Sequence, residues 1–211
     1  MKTRLKEEAM SRRILGIVGS YRQGGTIDQA VSAVLAAAAE GGAATEKVYL
    51  CESRIEFCTN CRRCTQQPGP HPERCFLEDD MAGLIERIES ADALVLGAPV
   101  NFGNVNALTQ RFLERLVGYS YWPWGQPAPK MRKKGQPSKP AVLVTASAMP
   151  ALMGRLLTGS LKGMKLGVTA VGAKPVATLF VGLAAMQEHQ KLTERMSGKA
   201  RTAGQKLVAK R

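Results

Sequence analysis

Short apolar runs alternate along this chain with segments of helical period, and no other feature restricts its fold as strongly. Ile14-Leu15-Gly16-Ile17-Val18 opens the series, and Ile27, Val31, Val34, Leu35 and Ala38 then recur at helical spacing until Gly41-Gly42. Further strands are expected at Lys47–Leu50, Ala93–Gly97, Ala141–Thr145 and Val176–Val181. Between the second and third strands, Asp79 or Asp80 can cap a helix carrying Met81, Leu84, Ile85 and Ile88. After the third, Ala98 to Gly103 reads as a loop, and Asn104 can cap a helix with Leu108, Phe112 and Leu116. Leu152, Leu156, Leu161, Met164, Val168 and Val171 then keep one helical stripe, and Leu192, Met196, Ala200, Ala203 and Leu207 form the last. Strands apolar on both faces, separated by helices, predict a parallel sheet covered on both sides.

Five such strands suggest an α/β, doubly wound, flavodoxin-like five-stranded parallel sheet in the order 2-1-3-4-5. A length of 211 residues fits one domain. We expect a basic N-terminal extension over residues 1–13 and a single domain over 14–211. That domain would carry a cysteine-bearing insertion (51–78) after the second strand and an aromatic and basic loop (119–140) before the fourth. No apolar run is long enough for a membrane span, and no secretory signal precedes Ile14, so a cytoplasmic location is expected.

In open α/β sheets, ligands bind outside the carboxyl ends of the strands, where the strand order reverses. The loop after the first strand suits a phosphate. Ser20 and Thr26 offer hydroxyls, Gly24 and Gly25 allow close backbone approach, Arg22 supplies a forked cation, and a helix N-terminus comes next. The glycine spacing matches neither a Walker A loop nor the dinucleotide fingerprint, so a terminal monoester phosphate fits better than a pyrophosphate.

These residues resemble the NADPH-dependent FMN reductase family. Gly19-Ser20-Tyr21-Arg22 through Gly25-Thr26 is similar to its phosphate loop, and Pro99-Val100-Asn101-Phe102-Gly103-Asn104 to its second flavin loop. Thr145-Ala146-Ser147-Ala148 is similar to the third. The resemblance implies non-covalent FMN, with Ser20, Arg22 and Thr26 on the phosphate and residues 99–104 beside the ribityl chain and ring. It also implies NAD(P)H as co-substrate, chemistry carried by the flavin with no catalytic side chain, and association into dimers or tetramers.

Four of the five cysteines stand as Cys58-x2-Cys61-x2-Cys64-x10-Cys75, with Cys51 apart. Three thiolates at that spacing can converge on one [4Fe–4S] cubane, one per iron, and a fourth closes it. Tetrahedral zinc, a dithiol redox pair and unligated thiols remain open. The stretch resembles the iron–sulfur flavoprotein branch of the family, in which Phe76-Leu77-Glu78-Asp79-Asp80-Met81 matches the segment after the fourth cysteine. The gap from Cys64 to Cys75, with its three prolines, is longer than that branch usually has.

The formal charge of +13 is unevenly placed. Residues 1–13 carry +3, 130–139 carry +5 and 191–211 carry +6, so the remainder sums to −1. No nucleic-acid motif accompanies this charge, and it reads as solvated periphery or as attraction for an acidic redox protein such as ferredoxin. Lys130 to Lys134 could also meet the 2′-phosphate of NADPH. Tyr119, Tyr121, Trp122 and Trp124 could cap a flavin ring, form a subunit contact or pack their own loop. His71 and His189 belong to no acid–base constellation. The expected function is an FMN-dependent NAD(P)H oxidoreductase of the iron–sulfur flavoprotein kind. The alternatives are a flavodoxin-like electron carrier inactive with nicotinamides and a nucleic-acid-associated redox sensor.

Overall fold

The structure, a computed structural model, describes residues 11–136 and 138–209. The basic extension expected over 1–13 lies, up to residue 10, outside the described residues, as do Lys210 and Arg211. In chain order, β1 (Arg13–Val18), α1 (Thr26–Glu40) and β2 (Ala44–Tyr49) come first. Next are α2 (Met81–Ser90), β3 (Ala93–Asn101), β4 (Asn104–Val105) and α3 (Ala107–Arg115). A short pair, β5 (Ser120–Tyr121) with β6 (Lys130–Met131), precedes β7 (Lys139–Ala146). The chain continues with α4 (Ala151–Leu157), α5 (Ser160–Ala170), β8 (Ala173–Val181) and α6 (Glu194–Val208).

The main sheet runs β2-β1-β3-β7-β8 with every neighbouring pair parallel. Numbering only these five strands along the chain gives the expected order 2-1-3-4-5, and the fold is flavodoxin-like. Helices α1 and α6 cover one face, where Val31, Val34, Leu179, Val181 and Leu207 are buried together. The two helices touch closely at Gly204, where a Cβ would stand 2.3 Å from the Val34 carbonyl oxygen. Helices α2, α3 and α5 cover the other face over Leu15, Leu94, Phe112, Met164 and Val168.

Four local expectations change. Strand β2 starts earlier, at Ala44, because its exposed Thr45, Glu46 and Lys47 are edge residues that an apolar criterion passes over. The segment expected as a loop from Ala98 is instead the end of β3. It turns through Phe102 (φ 50°) and Gly103 (φ 80°) and returns as β4, with Val100 opposite Val105 and Asn101 opposite Asn104. Two consecutive left-handed residues match the twist of such a hairpin. Asn104 is therefore committed to the hairpin, and Asn106 caps α3, its Oδ1 accepting from the Thr109 N–H at 3.0 Å.

The stripe expected over 152–171 breaks at Thr158-Gly159 into α4 and α5. Thr158 Oγ1 donates to the Gly154 carbonyl at 2.6 Å, and the Gly159 N–H goes to Gly103 at 2.8 Å. Leu152 and Leu156 are left 70% and 76% exposed, whereas Met164 and Val168 are core.

Residues 51–80, between β2 and α2, contain only isolated 3-10 turns, yet they are anchored. Arg115 and Asp79 form an ion pair with side chains 2% and 0% exposed. The same carboxylate accepts from the Glu56 N–H at 2.8 Å and the Met81 N–H at 3.1 Å. Of the two cap candidates it is thus Asp79 that serves the helix start, while Asp80 takes the Arg54 N–H at 2.7 Å. Among the described residues, no helix is long and apolar enough to cross a membrane.

Candidate functional site

A cleft of about 1100 Å³ opens at the carboxyl ends of β1, β3 and β7, where the strand order reverses. That volume lies just above the roughly 300 to 1,000 Å³ of small-molecule sites and leaves room for a mononucleotide-sized ligand. Its floor is a buried polar knot. The Gly19 N–H donates to the Gly97 carbonyl at 2.7 Å, and the Gly19 carbonyl accepts from Asn106 Nδ2 at 2.7 Å and Thr109 Oγ1 at 3.1 Å. A Cβ on Gly19 would fall 2.1 Å from Thr109 Oγ1, so no other residue fits without displacing Thr109.

The loop from Ser20 to Thr26 forms one wall. Ser20 Oγ accepts the Arg22 N–H at 3.1 Å, which leaves its own proton free to donate. The Gly24 N–H is held by Asp28 Oδ2 at 2.7 Å and the Gly25 N–H by the Arg22 carbonyl at 3.2 Å. Neither glycine N–H therefore donates into the cleft; each glycine shapes the turn that brings the backbone close. Among the described residues no side chain caps α1, so the leading N–H groups after Gly25 are the unshared donors, at the positive end of the helix dipole. Arg22 reaches across the mouth and donates one Nη to the Glu188 carbonyl, with further guanidinium N–H groups to spare.

Asp28, in the first turn of α1, organises this wall. Besides the Gly24 N–H it takes Lys47 Nζ at 2.8 Å, the Tyr49 hydroxyl at 3.1 Å and the Ser32 hydroxyl at 3.3 Å. Burial opposes its charge, but Lys47, the Gly24 N–H and Tyr49 outweigh that and hold its carboxyl below the usual carboxylate range. A carboxylate here would repel an anion in the cleft, and the Lys47 ammonium neutralises it. Lys47 and Tyr49 sit on β2, so nothing in the local sequence around Asp28 announces the arrangement.

The opposite wall is built by Pro99, Val100, Asn101, Ala146, Ser147 and Ala148. Of the remaining candidate residues, Phe102, Gly103 and Asn104 do not line the cleft, because the hairpin carries them outward. Phe102 is fully exposed, the Gly103 carbonyl takes the Gly159 N–H, and Asn104 Oδ1 takes the Val105 N–H at 2.9 Å. Thr145 lies buried one residue below the wall, with a hydroxyl that has no partner among the described residues. A third wall was not foreseen: the segment after β8, including Gln187 to Leu192, closes over the first loop. Gln29 bonds it from α1, donating to the Gln190 carbonyl at 3.0 Å and accepting the Leu192 N–H at 3.1 Å. The switch-point rule does not point to it, because β8 is the edge strand and lies away from the reversal of strand order.

No cysteine lines the cleft. Asn60 (φ 53°) and Arg62 (φ 61°) are left-handed on either side of Cys61, which bends the Cys58-to-Cys64 loop sharply. Cys64 is buried, Cys58 and Cys75 are half-buried and Cys61 is exposed. Burial, then the neighbouring thiols of Cys75, Cys58 and Cys61, push the Cys64 thiol up to about 11. The four candidate ligands thus gather round Cys64. Among the described residues, however, no three ligating side chains close on a single ion-holding point.

The aromatic loop serves this cysteine loop and not the cleft. The guanidinium of Arg62 lies between the rings of Trp122 and Trp124, 3.9 and 4.2 Å from their centroids. The Trp122 N–H donates to the Thr65 carbonyl at 2.8 Å. Buried Arg132 donates to the carbonyls of Gly118, Gln67, Gly69 and Cys64 at 2.8–3.3 Å. Lys133 is paired with Glu89 at 2.6 Å, which also accepts from the buried Tyr119 hydroxyl and lies 3.5 Å from His71. Arg132 and Lys133 are therefore engaged in structure, at the β7 amino end of the sheet, and not available to a nucleotide in the cleft.

The family model described as NADPH-dependent FMN reductase matches residues 12–183. An iron-sulfur flavoprotein of Archaeoglobus fulgidus is 32% identical over 111 residues, 53% of this chain and 48% of the relative. One of Methanosarcina thermophila is 31% identical over 105 residues, 50% of this chain and 52% of the relative. The chain spans about half the length of the curated relatives it matches. An NAD(P)H:quinone oxidoreductase from Methanothermobacter marburgensis superposes with a TM-score of 0.65 at 20% identity, over 93% of this chain and 99% of that one. An FMN-dependent NADH-azoreductase from Bacillus anthracis, in complex with FMN, gives 0.67 at 11% identity, over 95% and 100%. At these identities the structural likeness is one of fold.

Proposed function

The chain belongs to the NADPH-dependent FMN reductase family, and from that premise we propose that it is an FMN-dependent NAD(P)H oxidoreductase of the iron–sulfur flavoprotein kind. One observation carries the flavin reading: a cleft of about 1100 Å³ at the switch point, bounded by an uncapped helix start. Its donor set fits a phosphate monoester. The Ser20 and Thr26 hydroxyls, the N–H groups that open α1 and the spare donors of Arg22 would hold the phosphate. Pro99, Val100, Asn101, Ala146 and Ser147 would flank the ring. FMN bound there supplies the hydride-accepting and electron-passing chemistry. The residues of this chain bind and orient it, and the segment from Gln187 to Leu192 limits the access of water. Residues 14–211 form the flavin-binding unit in this reading.

The donor chemistry of Cys58, Cys61, Cys64 and Cys75 fits a thiolate-bound [4Fe–4S] centre, and the names of the archaeal relatives support it. We propose these four as its ligands, an acidic redox protein as donor or acceptor, and association between copies of the chain. Flavin released from anaerobically purified protein should run as FMN on chromatography, NADPH or NADH should be oxidised, and iron and acid-labile sulfide should accompany the chain. Iron unchanged in Cys58→Ala would remove the cluster assignment. Absence of FMN after purification in its presence would remove the function. Reduction by ferredoxin without nicotinamide turnover would leave an electron carrier.

A further inference from the structure

Beside the cleft lies a second groove, of about 640 Å³, between α4, the outer strand β8 and α6. Four cations line it, Arg155 from α4 and Arg195, Lys199 and Lys206 from α6, and among the described residues no carboxylate does. The α6 residues, with Thr202, fall at successive spacings of four, three and four, which is one helix face. None of the four cations has an ion pair or side-chain hydrogen bond among the described residues. By contrast Arg201, on another side of α6, is paired with Glu40 at 3.1 Å.

The floor is the edge of the sheet. Among the described residues β8 has a strand on one side only, so every second residue turns its N–H and C=O outward. Edges are usually blunted by lysine, proline or a bulge, and the first half of β8 has all three. Lys174 and Pro175 stand there, and a register shift inserts Val176 as an extra residue. From Ala177 to Phe180 none of these devices is present, and that open half is the part that lines the groove.

We propose that this groove docks an extended acidic segment of a partner protein, added as a further strand on Ala177–Phe180 with its carboxylates against Arg195, Lys199, Lys206 and Arg155. Charge complementarity selects an acidic occupant. The free strand edge selects a peptide over single-stranded nucleic acid, which relies on exposed aromatic rings for base stacking. The one aromatic residue here, Phe180, is buried. The groove also adjoins the cleft: Ser197 lines the cleft, while Met196 and Gly198 on either side of it line the groove. A segment bound here therefore brings its protein to the rim of the cleft. The partner's redox role rests on the function proposed above. Docking itself does not, and it is read without flavin turnover so that the two can fail separately.

The test is fluorescence anisotropy of the full-length protein with a labelled alternating glutamate–valine peptide. Its arms are a copy N-methylated at alternate residues and a single-stranded DNA of equal charge. Neutralising three exposed charges in Arg195→Gln/Lys199→Gln/Lys206→Gln should weaken peptide binding about tenfold, while NADPH oxidation with a small-molecule acceptor stays unchanged. N-methylation should weaken binding to the wild-type protein, which needs no altered chain to fold. Peptide affinity indifferent to both changes would overturn the proposal. So would DNA binding more tightly than the peptide, or self-association that the triple variant abolishes.

Discussion

Asp28 buries a carboxylate beside a cleft read as an anion site, and it is tolerable only because Lys47 and Tyr49 reach it from the neighbouring strand. Asp28→Ala frees the Gly24 N–H, removes a negative charge beside the cleft and leaves the Lys47 ammonium uncompensated, so FMN should bind about tenfold more tightly, the worth of one charge-assisted hydrogen bond. Riboflavin, lacking the phosphate, should bind unchanged; isothermal titration with both ligands decides it. The same carboxyl is held below its ordinary range. Its contribution to stability is therefore complete above the unfolded value near 3.8 and is lost as pH falls through the lower folded value. Wild-type urea midpoints should fall between pH 6 and pH 3 by more than those of Asp28→Asn. At this scale the sequence showed the hydroxyls, glycines and arginine of the loop. It did not show that both glycine N–H groups are already engaged, by Asp28 and by the Arg22 carbonyl, nor that Lys47 and Tyr49 hold Asp28 from β2, about twenty residues away.

Among the elements, strands and helices with a buried apolar face were legible, and those held by polar contacts were not. The hairpin of β3 and β4 looks like a loop because Pro99 and Gly103 carry loop chemistry. Only the pairing of Val100 with Val105 reveals a strand. Likewise Trp122 and Trp124 look like flavin or subunit contacts until Arg62 is found between their rings. Arg62→Ala removes two cation–π contacts worth together about 1–2 kcal/mol. Melting should drop by roughly 2–8 °C for a chain of this size. Hydrogen exchange should speed up over residues 58–66 and stay unchanged in the main sheet. Equal acceleration throughout would show that the clamp is not local.

For the whole molecule, strand order and layering were legible in the periodicity, while the use of the charge was not. The excess of basic residues is partly internal, in Arg132 and Lys133, and partly lines the groove along α6. The broken stripe of α4 leaves Leu152, Met153, Leu156 and Leu157 exposed on one short helix. Such a patch suits the association between copies proposed above. Leu156→Glu should lower the mass seen by light scattering to that of one chain, and an unchanged mass would put the contact elsewhere.

The order in which the chain is made bears on the cysteine loop. Its carbonyls at Cys64, Gln67 and Gly69 are gripped by Arg132, more than sixty residues downstream. During synthesis all five thiols emerge before that grip exists. Until then Cys58, Cys61 and Cys64 ride on a segment held at its Asp79 end by Arg115 but not yet by Arg132, open to oxidants and to any ion supplied early. Whatever fills them after Arg132 has docked meets a loop already bent to shape.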